Sequence, residues 1–177
     1  MEELCYSALD IAAVIASMGL GCQAQAKFLN RIWENERPFL QKDYRDNKRQ
    51  MILDVSYWLT YFSDKPTIDT EFPVIQKDAQ TVGRELEADA YITETSGLDL
   101  FFKSVRLRIL YGEGKPYIRV KRRTLMGKYG YKRLSPALVE YFHQCIYFYH
   151  LQPYVRDYAE CQIEDVGIDE MIVFRVI

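Results

Sequence analysis

The sequence predicts an α+β fold: a helical first third, then a β-hairpin and an α/β C-terminal part. Three observations carry that expectation. Apolar residues recur at helical spacing through the first sixty positions, alternate on both sides of a glycine-containing turn at 112–115, and return to helical spacing after Ser135-Pro136. A chain of 177 residues, 49% hydrophobic and 27% charged, can bury a core, and with 9 Gly and 6 Pro it is neither fibrous nor low in complexity. The aromatic count (14 Tyr, 9 Phe and 2 Trp) suits a thick core, an aromatic interface, or both.

Three helices account for the first part. Over residues 3–18, Leu4, Ala8, Ile11, Ile15 and Met18 form one stripe, and Gly19-Leu20-Gly21 ends it. Residues 23–36 turn Phe28, Ile32 and Trp33 inward, with Pro38 as the stop. Residues 43–62 carry Met51, Ile52, Val55, Trp58, Leu59 and Phe62, opposite a face of mixed charge that reads as solvated. A loop follows at 63–73, then a short strand at Val74-Ile75, a polar helix through 84–87 and a second short strand at 91–93. This gives a helical subdomain at 1–62, a connecting segment at 63–103, and a basic hairpin with its α/β module at 104–177.

The hairpin expectation rests on alternation. Val105, Leu107, Ile109 and Tyr111 interleave with Arg106, Arg108 and Leu110, and after the turn Tyr117, Ile118, Arg119, Val120 and Lys121 alternate again. Threading the turn sets Ile109 opposite Ile118 and Leu107 opposite Val120, leaving Arg108 opposite Arg119 and Arg106 opposite Lys121 on the outer side. On that pairing both arginines are solvated, and exchanging Arg106 and Arg119 for Glu changes stability by only about 1 kcal/mol. Further on, residues 124–129 read as a short helix and 130–133 as a turn. Ser135-Pro136 supplies an N-cap and a first-turn proline for a helix carrying Leu138, Phe142, Cys145 and Tyr149. Two closing strands are expected at 161–163 and 171–176.

Charge is segregated. Residues 1–102 hold 10 basic and 17 acidic side chains, residues 103–133 hold 11 and 1, and residues 134–177 hold 2 and 7, for a net charge of −2. The central stretch is therefore an expected docking surface for an anionic partner, either nucleic acid or an acidic protein surface. Its phosphate-contacting residues are Arg106, Arg108, Arg119, Lys121, Arg122, Arg123, Lys128, Lys132 and Arg133. Tyr117, Tyr129 and Tyr131 lie among them as stacking residues for unpaired bases. The competing reading is internal: 24 of the 25 acids lie outside the stretch and are able to neutralise it from within.

The run from Arg119 through Thr124-Leu125, Gly130-Tyr131-Lys132-Arg133 and Ser135-Pro136 resembles winged-helix-like modules of bacterial proteins over about residues 118–177. The resemblance implies a short helix, a turn, a second helix and a closing hairpin, with nucleic-acid binding or an adaptor role and no catalysis. The second helix departs from that pattern, because residues 136–150 contain no Lys or Arg to read base edges. Its aromatic crowding points to burial or to a homo-oligomer interface.

Catalytic signatures are absent from the sequence: no GxSxG, HExxH, P-loop or GxGxxG occurs, and His143 and His150 have no ligands spaced around them for a metal. A metal-dependent nuclease using Asp99, Glu113 and Lys115 is the one enzyme class weighed, against the expectation of a non-enzymatic protein without cofactors. Cys5, Cys22, Cys145 and Cys161 lack metal-binding or framework spacing and read as reduced thiols. The apolar run at 11–20 is too short to span a bilayer and lacks a basic leader, so the expectation is a cytoplasmic protein with no membrane partner. Nucleic-acid binding or regulation leads; a protein-interaction module or inhibitor of phage or mobile-element type is the alternative.

Overall fold

In the computed structural model, residues 4–62, 96–112, 114–128, 130–156 and 159–177 are described. The architecture is α+β, with six α-helices and a three-stranded antiparallel sheet among those residues. The chain divides into two compact units, Met1–Glu87 and Ala88–Ile177. The loop, strands and polar helix expected between 63 and 93 lie outside the described residues.

The first unit is helical, as its periodicity predicts. Helix α1 spans Ala8–Met18, starting later than its apolar stripe because a capping box fixes the start. The Ser7 side chain accepts from the Asp10 N–H, and the Asp10 carboxylate accepts from the Ser7 N–H, so two orphan donors are satisfied together. Gly19 ends the helix at φ 62°, a conformation that favours glycine. Helix α2 spans Cys22–Asn35 and α3 spans Lys48–Phe62. Between them, short 3₁₀ turns at Arg37–Phe39 and Lys42–Tyr44 bring the chain back past Tyr6, whose N–H donates to the Phe39 carbonyl at 2.7 Å. Trp33 is half-buried; its indole N–H donates to the Tyr44 carbonyl at 3.3 Å, and the Arg37 guanidinium lies 3.5 Å from its ring centre.

The second unit is built in the order α4 (Ser96–Tyr111), β1 (Ile118–Lys121), α5 (Arg122–Lys128), α6 (Pro136–Phe148), β2 (Leu151–Tyr154) and β3 (Met171–Val176). The sheet order is β1-β3-β2, so the last strand is the central one. Ile118 pairs with Phe174 and Val120 with Ile172 on one side, while Leu151 pairs with Val176 and Pro153 with Phe174 on the other. These residues form the inner face. Phe102 of α4, Phe142 of α6 and Phe174 of β3 meet edge-to-face there, with ring centres 5.7 and 5.8 Å from Phe102.

Two strand expectations are corrected. Residues 104–111 are the second half of α4, and β1 pairs with β3 instead of with them. The expected domain start at 104 therefore falls inside a helix. The physical reason is that Val105, Arg106 and Leu107 are all buried, which no half-exposed strand allows, whereas Leu98, Phe102 and Val105 form an inward helical stripe once the segment before 104 is included. The opposed Arg108–Arg119 and Arg106–Lys121 pairs do not exist: Arg119 faces Val173 and Lys121 faces Met171. The Gly112 N–H donates to the Arg108 carbonyl at 3.0 Å, which closes α4.

The strand expected at 161–163 is also absent; Ile163–Asp165 is a 3₁₀ turn. The second strand lies instead at β2, across Pro153. Proline is tolerated because β2 is an edge: the Pro153 carbonyl accepts from the Cys161 N–H at 3.2 Å on the side away from β3, so its missing N–H removes no bond to the sheet. By contrast, Ser135 caps α6 and Pro136 opens it as expected, with the Leu138 N–H donating to the serine oxygen at 3.2 Å.

Phe102 fills the centre of this core without exposure. Phe102→Ala is expected to lower stability by about 3–5 kcal/mol, measured by urea titration.

Candidate nucleic-acid interface

Because the sheet alternates, everything opposite its inner face shares a second, outward face. Arg119 and Lys121 of β1 stand there, beside Val173 and Met171 of β3, and Tyr154 of β2 completes the row through Val173. Arg175 pairs with Gln152 in the next row. Tyr117, one residue before β1, joins that row, with the Arg175 guanidinium 5.5 Å from its ring centre. Arg119 lies 4.9 Å from the same ring centre and the Lys115 ammonium 5.6 Å from it. Three cations thus converge on one half-buried tyrosine. Each such contact stabilises by about 0.5–1 kcal/mol at an exposed site, but the cations also repel one another, and an anion set among them relieves that repulsion.

Two carboxylates border the face. Glu160 bridges to Tyr154 at the outer edge of β2. Asp169 accepts two hydrogen bonds from Arg123, at 2.7 and 2.9 Å. The Arg123 hydrogen bond holds the Asp169 carboxyl below its ordinary range; slight desolvation opposes this, and the charges of Arg123 and Lys121 reinforce it.

The expected site residues therefore part company. Tyr117, Arg119 and Lys121 come together on the outer face. Lys132 and Arg133 are exposed in the turn before α6, where Gly130 adopts φ 77°. Arg122 is half-buried and donates to the backbone carbonyls of Glu164, at 3.3 Å, and Val166, while Arg123 is committed to Asp169. Arg108 and Tyr131 are half-buried. The Tyr129 residue and the Lys128 side chain lie outside what the structure describes. Arg175, Tyr154 and Gln152 were not expected at the site: they are distant in sequence, and only strand pairing brings them to it.

Arg106 is the clear correction. At 8% exposure it lies in the interior and donates to the Tyr149 carbonyl at 2.9 Å, because its helical position faces the core rather than solvent. Beside it on α4, Lys103 pairs with Asp99 at 2.5 Å, and the Tyr149 hydroxyl donates to Asp99 at 3.1 Å. Asp99 is thus held inside by a lysine and a tyrosine. Burial pushes the neighbouring Cys145 thiol from 9.0 to about 12, with the Asp99 charge adding to the rise and Tyr141 and Lys103 opposing it.

His143 contacts Glu164 at 2.9 Å, joining α6 to the 3₁₀ turn. Among the described residues, no cluster of His, Cys, Asp or Glu is placed to hold a metal, and no helix is long and apolar enough to cross a membrane. Comparison with protein-family models, curated proteins and solved structures yields no match.

Two outcomes follow from the interior cluster. Arg106→Glu places a carboxylate against the Tyr149 carbonyl and is expected to destabilise by about 3 kcal/mol or more, while Arg119→Glu stays within about 0.5 kcal/mol; urea midpoints separate them. The fold favours the protonated Cys145 thiol, so its contribution to stability is complete below pH 9 and is lost as pH rises towards 12. Stability measured across that window should fall more steeply in the native chain than in Cys145→Ala.

Proposed function

We propose that this protein is a non-enzymatic nucleic-acid binder whose contact surface is the outer face of the β1-β3-β2 sheet. The observation that carries this reading is the convergence of Lys115, Arg119 and Arg175 on Tyr117, opposite the packed core. Phosphates lie against Arg119, Lys121 and Arg175, a kind of contact that supplies affinity and salt dependence without sequence choice. Insertion of α6 into a groove does not belong to the reading: its exposed Glu140, Gln144 and Tyr147 include no cation.

A second reading, self-association through α6, is favoured by one observation: Tyr147 is 87% exposed on that helix. Its contact would run through α6 and survive changes on the sheet.

The test is fluorescence anisotropy of labelled DNA and RNA strands across a salt series, with Arg119→Glu/Lys121→Glu alongside. Affinity is expected to fall steeply with salt, and loss of two phosphate contacts lowers the log–log slope by about 1.4 on a single strand. Absence of binding at low salt, or an unchanged slope in the folded variant, overturns the reading.

A further inference from the structure

We infer that the outer sheet face selects single-stranded over double-stranded nucleic acid, with Tyr117 and Tyr154 as two base-stacking platforms on opposite edges of the sheet. The inference rests on the nucleic-acid reading above and adds the form of the ligand and the direction in which it lies.

Both tyrosines belong to the outward face. Tyr117 is tied to it by Arg119 and Arg175, and Tyr154 by its pairing with Val173, the residue that also pairs with Arg119. They flank the central strand, two strand spacings apart, or about 10 Å across the sheet. Val173 and Arg175 of the central strand lie between them, one apolar and one cationic. Both rings are half-buried, so each is held by its surroundings while presenting part of its surface. A rigid aromatic held on a sheet is suited to stack any base, since every base has a π-face, but only where that base is not already stacked within a duplex.

Charge fixes the direction. The cations Arg119 and Lys121 lie on β1 and Arg175 on β3, whereas the carboxylate in register with Tyr154 is Glu160, beyond β2. Phosphates therefore run along the β1 side, where Arg119 and Lys121 point outward. Bases then lie across β3 towards Tyr154. A duplex, with backbones on both sides and its bases paired inward, satisfies only the β1 half of this surface.

The experiment compares three labelled probes of one length at low salt: a single strand, the same strand annealed to its complement, and an abasic strand with the same phosphates. The full chain is expected to bind the single strand about ten-fold more tightly than either of the others, the scale of one stacked base. Tyr154→Leu is expected to lose about ten-fold on the single strand and nothing on the abasic strand, while Tyr154→Phe, which keeps the ring, retains wild-type affinity. Equal binding of all three probes overturns the single-strand inference and leaves the nucleic-acid reading standing. So does a Tyr154→Phe loss as large as that of Tyr154→Leu, which would assign the effect to packing. Failure to bind any probe overturns both.

Discussion

A lysine and an aspartate one helical turn apart, both withdrawn from water, govern the C-terminal unit. Removing such charges from water costs several kcal/mol each, and the cost is met only where geometry and further hydrogen bonds are in place. Here Lys103 meets Asp99, the Tyr149 hydroxyl meets Asp99 again, and Arg106 meets the Tyr149 carbonyl. Tyr149 is the residue that ends α6 and lies two positions before β2. The cluster therefore fastens α4 to the point where helix gives way to sheet. Without that fastening, α4 would turn a charged stripe to its own core; with it, Phe101 and Phe102 lie against Phe174 and the inner sheet face is closed.

The same cluster explains where the sequence misleads. Alternating apolar and basic residues normally mark a half-exposed strand, and over 105–111 the pattern is good. What it cannot reveal is that the basic residues are inside, because the acid that receives Lys103 stands four positions earlier and the carbonyl that receives Arg106 stands 43 positions later. Helices α1, α2, α3 and α6 were legible because their stripes are apolar and their ends carry punctuation, Gly19 and Ser135-Pro136 above all. Strand β2 was hidden by Pro153, whose meaning reverses once it lies on an edge. The site was half legible: Tyr117, Arg119 and Lys121 are local in sequence, whereas Arg175, Gln152 and Tyr154 join them only through strand pairing.

Segregated charge along the chain likewise becomes two populations in space. Lys103 and Arg123 pair with acids of their own unit, while Arg106 and Arg122 donate to its backbone carbonyls. Lys115, Arg119 and Lys121 lie on or beside the outer sheet face, together with Arg175 from outside the basic stretch. A run of cations in sequence is thus partly structural cement and partly surface, and burial decides which. The carboxylates of Asp169, beside Arg123 and Lys121, and of Glu160, beyond β2, bound that surface.

Strand β3 pairs with both β1 and β2, yet it follows every other element of the unit in chain order. Residue 118 waits for residue 174. During synthesis the nascent chain carries β1 with no neighbour and an apolar inner face with nothing to close it, a state of high contact order that is slow to resolve and prone to association. Insertion of the final strand ends that interval by seating Phe174 in the core. The same event sets Val173 and Arg175 between Arg119 and Tyr154 on the opposite side. Folding and assembly of the outer surface are therefore one step, and a ribosome-bound chain that has not yet made β3 has no such surface to offer a ligand.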